Sequence, residues 1–353
     1  MDLKIINIIF KFGKILSLTP SSTKKTRILN GFEKLHGCLM FATLTSFICY
    51  NLCWTEVLNI CLSKTQCILA VAITSTYIAH SLYVFVVVNL QKHCKWFKLL
   101  ASLKNTQCYK NNQNLYHLQF VMSHLITLSV IVVDVYFYFI YYDTSLALFN
   151  LMFCIEMYLQ LFYLVLRCII LELLLSRYHH QNNFLQRATV QNILKISKKT
   201  KHDLVILKDA IKIFNDIFGW ASLLDILSVS LGTLIHLDFL VRNEIHLDFL
   251  AALFGIAILL LCWGYILVDV CLCDSILERY DQIVMAACQL EISMSDAGSL
   301  KKEESISLKQ MVCRNRPEFD AARFFALDKT ALFKIVNTIV TFLLVIIQLK
   351  SNL

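Results

Sequence analysis

Seven stretches of about 20 mostly apolar residues alternate with polar, basic segments. They run roughly Cys38 to Thr55, Gln66 to Leu90, Leu118 to Tyr141, Ser145 to Ser176, Ile217 to Leu240, Leu247 to Val270 and Thr330 to Leu349. As helices rising 1.5 Å per residue, they match a hydrocarbon layer of about 30 Å. The fourth continues in a helix-compatible pattern past Arg177, so its far end is expected to project into water. Around Asn182 to Asp216 and Leu272 to Leu308, apolar and charged residues alternate at helical spacing, as in Ile193, Ile196, Leu204, Leu207 and Ile211. That pattern predicts helices that pack into an intracellular bundle, which either extends the membrane core or serves as an oligomerisation platform. The stretch Ser293 to Ser307 reads as a mobile linker, and the start, MDLKIINIIFKFGKIL, as an amphipathic interfacial helix.

Lys and Arg set the orientation, because they are held back on the cytoplasmic side. The segments before the first apolar run and after the second, fourth and sixth are rich in them. The first, third and fifth loops hold only Lys64 and Arg242, and the tail holds Lys350. The N-terminus is therefore expected inside and, after seven crossings, the C-terminus outside, the reverse of a G-protein-coupled receptor. With 58% hydrophobic and 16% charged residues in 353, the chain is too apolar for a soluble domain. Basic loops against the anionic lipids of the inner leaflet account for the net charge of +8 without a nucleic-acid partner. The fourteen cysteines lie mostly in apolar runs without a C-x-x-C pair, and read as small hydrophobes. No hydrolase, zinc or P-loop motif is present, so neither catalysis nor a cofactor is expected.

Two sets of polar residues within the apolar runs stand out. On the last run Asn337, Thr341, Leu344, Val345 and Gln348 recur at intervals of three or four and share one helical face. Such a stripe either lines a water-filled path or hydrogen-bonds neighbouring helices. The second set comprises Asp134 and Glu156, with Tyr77, Tyr136, Tyr138, His236 and Phe254 at similar depth in the outer half. These residues form either an aromatic-lined ligand pocket, or interhelical hydrogen bonds and an interfacial aromatic belt. Arg167 lies nearer the cytoplasm, where it can snorkel, and reads as structural.

The segment Phe319 to Leu349, FDAARFFALDKTALFKIVNTIVTFLLVIIQL, resembles the C-terminal signature of the insect gustatory receptor family. That signature reads approximately F-x-A-x-G-x-F-x-L-D, then an apolar helix ending in T-Y, five hydrophobics and Q-F. Phe319, Ala321, Phe325, Leu327, Asp328, Thr341 and Gln348 fall in register, while Arg323 replaces Gly, Phe342 replaces Tyr and Leu349 replaces the final Phe. The resemblance implies an all-α, seven-transmembrane, ligand-gated, non-selective cation channel that detects small-molecule tastants. It further implies a homo- or heterotetramer in the plasma membrane of sensory neurons.

By the same resemblance the chain divides into a cytoplasmic segment 1–35, helices one to six with the ligand pocket over 36–271, a cytoplasmic loop with anchor helices over 272–329 and a pore helix over 330–353. Thr341, Val345 and Gln348 become pore positions, with Leu344 or Val345 as an apolar gate. Lys334, inward of them on nearly the same face, is expected at the cytoplasmic vestibule. A secondary transporter would be expected to show helices broken by Gly or Pro, and the chain has only eight glycines and two prolines. A non-channel seven-helix receptor coupled to G proteins would need the opposite orientation.

Overall fold

A computed structural model describes residues 4–16, 18–19, 35–43, 45–46, 64–106, 113–141, 144–242, 249–294 and 298–351. These residues are almost wholly helical. In order come α1 (Lys4–Ile15), α2 (described over 35–43), α3 (Lys64–Leu82, continued by a π-helical stretch Tyr83–Gln91), α4 (His93–Asn105), α5 (Gln113–Tyr141), α6 (Thr144–Gln186), α7 (Ile193–Arg242), α8 (Phe249–Ser293), α9 (Ser299–Arg314), a two-stranded hairpin, and α10 (Lys329–Ser351). Among the described residues, five helices contain stretches long and apolar enough to cross a membrane: Cys67–Val88, Phe120–Ile140, Phe153–Gln186, Ile193–Asp238 and Gly255–Ser293. They correspond to the second through sixth predicted runs. The seventh falls on α10, whose 23 residues span about 34 Å. Most of the first run lies outside the described residues.

The 43, 50 and 45 residues of α6, α7 and α8 far exceed the roughly 20 a bilayer requires. Their polar ends project beyond it, as the fourth run predicts, and pack with α4 and α9 into a bundle. α4 buries Trp96, Leu99, Leu100 and Leu103. Arg177 ties its end to α6, donating from Nε to the Leu103 carbonyl at 2.9 Å and to Thr106 Oγ1 at 3.0 Å. A helix C-terminus leaves carbonyls unsatisfied, which is why a buried guanidinium fits there.

Three expectations need correction. The linker-like stretch Ser293 to Ser307 is helical from Ser299 onward, because Ser305, Leu308 and Val312 form a buried stripe against α7 and α8. Lys201 Nζ donates to Glu304 at 2.8 Å and Ser197 Oγ at 2.7 Å, further tying α9 to α7. Burial alone would raise the Glu304 carboxyl; these two donors outweigh it and hold it below its usual value. The N-terminal helix does not simply lie in the interface. Ile9 and Phe10 are buried and Phe10 meets Trp96 edge-on at 5.2 Å, while Ile8, Lys11, Phe12, Lys14 and Ile15 stay exposed. Arg167, finally, does not snorkel: it is 1% exposed, held by carboxylates within reach of its own turn of α6.

The hairpin explains the signature segment physically. Asp320 pairs with Ala326 and Ala321 with Phe325. The chain reverses through Ala322 (φ 54°) and Arg323 (φ 65°), both left-handed. Phe319, Ala321 and Leu327 are buried, and Phe319 meets Phe214 of α7 edge-on at 5.8 Å. The hairpin backbone comes so close to α7 that a Cβ on Gly219 would sit 2.9 Å from the Ala322 nitrogen. Asn215 adds donors to the Glu318 carbonyl at 2.8 Å and to Asp320 Oδ2 at 2.9 Å. Asp328 then caps α10, accepting from the Ala331 amide at 2.7 Å. The Gly of the signature thus falls on a left-handed position that here carries Arg. A side chain there costs roughly 1–2 kcal/mol. Arg323 is exposed and the bond from its amide to Asp320 Oδ1, 2.7 Å, needs no side chain. Arg323→Gly should therefore raise the melting temperature of the purified chain by about 1–3 °C; an unchanged or lower value would contradict this reading.

Candidate functional site

α10 packs against α7 and α8 through a narrow stripe. Leu332 and Ile335 reach the core, Ile339 is 9% exposed and Leu343 is half-buried. Lys329 pairs with Asp274 of α8 at its start. Every residue of the predicted polar stripe is exposed: Asn337, Thr341, Leu344, Val345 and Gln348. At about 100° per residue these five centre roughly half a turn from Ile335, Ile339 and Leu343. Thr341 Oγ1 donates to the Asn337 carbonyl at 2.9 Å, so its hydroxyl proton stays within the helix while an oxygen lone pair faces outward. Lys334 is exposed one to two turns inward. A helix held along one edge, with an ordered polar and apolar sequence on the opposite face, suits a position around a shared axis.

The predicted ligand residues do not form one group. Tyr77 and Glu156 come together: Tyr77 meets Phe153 edge-on at 5.5 Å, and Phe153 lies three residues before Glu156 on the same side of α6. Ser81, one turn below Tyr77, donates to Glu156 Oε2 at 2.9 Å. Asp134 is buried on α5 and accepts from Cys154 Sγ at 3.3 Å. Cys154 and Glu156 are two residues apart and so face opposite sides of α6, which separates Asp134 from Glu156. His236 stands apart on α7, its Nδ1 2.9 Å from the Gly232 carbonyl and its ring laid over Gly255 of α8, where a Cβ would have no room. Tyr138 is half-buried beside Phe137. Tyr136 is 66% exposed, pointing away from the bundle as a belt residue does. Phe254 lies on α8, and its side chain is outside the described residues.

Below this layer lies an ionic cluster joining helices far apart in sequence. Arg167 donates from Nε to Asp269 Oδ1 at 3.0 Å, and from a terminal nitrogen to Asp225 Oδ2 at 3.0 Å and Ser222 Oγ at 2.8 Å. His80 Nε2 is 3.3 Å from Asp225 Oδ1, an ion-pair distance without hydrogen-bond alignment. Four elements, α3, α6, α7 and α8, meet there. Sequence reading singled out Arg167 at this depth but missed its neighbours Ser222 and His80. The spacing of Ser222 and Asp225 three apart on one helical face was the available signal. Among the described residues no group of three or more His, Cys, Asp or Glu is placed to hold a metal ion.

A model of the 7tm chemosensory receptor family matches residues 6–353. Among solved structures, the insect olfactory receptor OR5 from Machilis hrabei is similar over 98% of this chain and 97% of its own, with a TM-score of 0.69 at 13% identity. The same receptor in complex with eugenol matches over the same shares, with a TM-score of 0.68 at 13% identity. No curated protein matches the chain.

Proposed function

Because the chain belongs to the 7tm chemosensory receptor family, we propose that it is a gustatory receptor of sensory neurons, acting in the plasma membrane as a ligand-gated, non-selective cation channel. Four copies, or this chain with related subunits, would surround one pore. The observation that carries the reading is the α10 geometry: the packed stripe leaves Asn337, Thr341, Leu344, Val345 and Gln348 together on the opposite, open face. In a fourfold ring Gln348 supplies a polar girdle near the outer mouth, and Leu344 with Val345 a ring narrow and apolar enough to dewet. The fold neighbour's complex with eugenol supports a small-molecule ligand, taken here among α3, α6 and α8 around Tyr77 and Glu156. The hairpin, seated on α7 at Gly219, links the start of α10 to a helix that also borders the ionic cluster. Movement of α7 would thereby reach the pore helix.

Recording from cells expressing the chain, under ion substitution and with surface abundance measured in parallel, tests this proposal. Agonist should open a current that reverses near zero with Na⁺ or K⁺ outside and is carried poorly by large organic cations. Gln348→Lys, which places four positive charges around the axis, should reduce the inward cation current at least tenfold at normal surface abundance. Gln348→Glu should keep the current and strengthen block by divalent cations. Wild-type conductance, reversal potential and divalent block in both variants would remove α10 from the pore.

A further inference from the structure

The geometry points to a subsite for a protonated amine between Glu156 of α6 and Tyr77 of α3, an inference that names a ligand class for the pocket proposed above. Glu156 is 2% exposed, and only one of its oxygens is satisfied: Oε2 accepts from Ser81, while Oε1 is buried without a hydrogen-bond partner. Ser81 is neutral and leaves the charge of the carboxylate uncompensated. The nearest arginine along the same helix, Arg167, lies eleven residues on, about 16 Å away by helical rise, and is already held by Asp225 and Asp269. A buried carboxylate with an open lone pair is costly unless a cation or donor reaches it.

Two further features select an organic ammonium over a metal ion. Tyr77 is buried with its ring edge-on to Phe153, so an apolar and aromatic wall stands beside the carboxylate. Aromatic rings attract an alkylammonium through their faces and accept the hydrocarbon that carries it; a hard metal ion would want further oxygens. Gln160, one turn from Glu156 on the same face of α6, has a buried amide nitrogen with no partner, a donor suited to an oxygen elsewhere on the ligand. An aryl-alkyl amine bearing a hydroxyl, ether or carbonyl fits these groups. Its ammonium meets Glu156 Oε1, its ring lies along Tyr77 and Phe153, and its oxygen accepts from Gln160.

Thermal unfolding of the purified full-length chain in lipid nanodiscs, with 2-phenylethylamine and the near-isosteric 2-phenylethanol, separates charge from shape. In the unmodified chain the amine should raise the melting temperature by several degrees at millimolar concentration, and more than the alcohol does. Glu156→Gln, which keeps shape and should fold because it removes a buried charge, is expected to abolish the amine's advantage while retaining the alcohol's shift. Glu156→Asp should retain a weakened preference for the amine. Equal shifts by the two probes in the unmodified chain, or an amine preference that survives Glu156→Gln, would overturn the assignment. Binding is read without current, so an amine-selective shift in a chain that conducts nothing would leave the subsite standing and remove the channel proposal instead.

Discussion

Replacing Arg167 with methionine should eliminate most folded protein, and removing its two carboxylate partners as well should restore it. Arg167 is the one cation bridging Asp225 and Asp269 within the described bundle, and all three side chains are at most 6% exposed. Arg167→Met leaves two buried carboxylates without the guanidinium that joins them. Breaking a buried pair in this way costs about 3–5 kcal/mol, a large share of the roughly 5–15 kcal/mol that holds a typical protein folded. Surface abundance should fall severalfold or more, and the melting temperature of what remains should drop sharply. The triple change Arg167→Met, Asp225→Asn, Asp269→Asn removes charge and counter-charge together, and should recover much of the abundance of the unmodified chain. Such recovery would mark the cluster as a means of fixing how α6, α7 and α8 meet rather than as a large source of stability. Unchanged abundance and melting in Arg167→Met alone would show that the carboxylates find other partners.

The sequence carries the helices more plainly than their partnerships. Apolar runs and helical spacing suffice to place α3 and α5 to α8, because the hydrophobic content of a membrane helix is a local property of some twenty residues. The polar stripe of α10 is equally local, and the structure leaves it on an open face opposite Ile335 and Ile339. Arg167 shows where locality ends. Its partners lie 58 and 102 residues away, and nothing in its own helical repeat distinguishes a buried bridge from a side chain reaching for the lipid head groups. The hairpin is hidden for a different reason: its turn is made by Ala322 and Arg323, where the usual marker of a left-handed backbone, glycine, is missing. α9 carries a charged sequence that hides its narrow stripe of Ser305, Leu308 and Val312. Among the ligand candidates, depth in the membrane is legible but azimuth is not. Asp134 and Glu156 share a layer, yet Asp134 of α5 reaches α6 at Cys154, while Glu156 leaves the other side of α6 toward Ser81 of α3.

Cysteine accessibility along α10 tests whether the helix turns its polar face toward a conducting axis, as proposed. Single cysteines at Thr341, Val345 and Gln348 sample the open face, and cysteines at Ile339 and Phe342 sample the packed and lateral faces. A membrane-impermeant, positively charged thiol reagent is applied from outside during recording, against a baseline from the unmodified chain. Each modified pore position places up to four added charges around the axis, so the effect should be large. Agonist-evoked current should be lost rapidly and irreversibly at Gln348→Cys with or without agonist, lost at Thr341→Cys only while agonist holds the channel open, and unaffected at Ile339→Cys or Phe342→Cys. Val345→Cys, at the proposed constriction, should react faster when agonist is present. Loss of current from the Ile339 side, or no loss at Gln348 and Thr341 in variants of normal surface abundance, would contradict that orientation of α10.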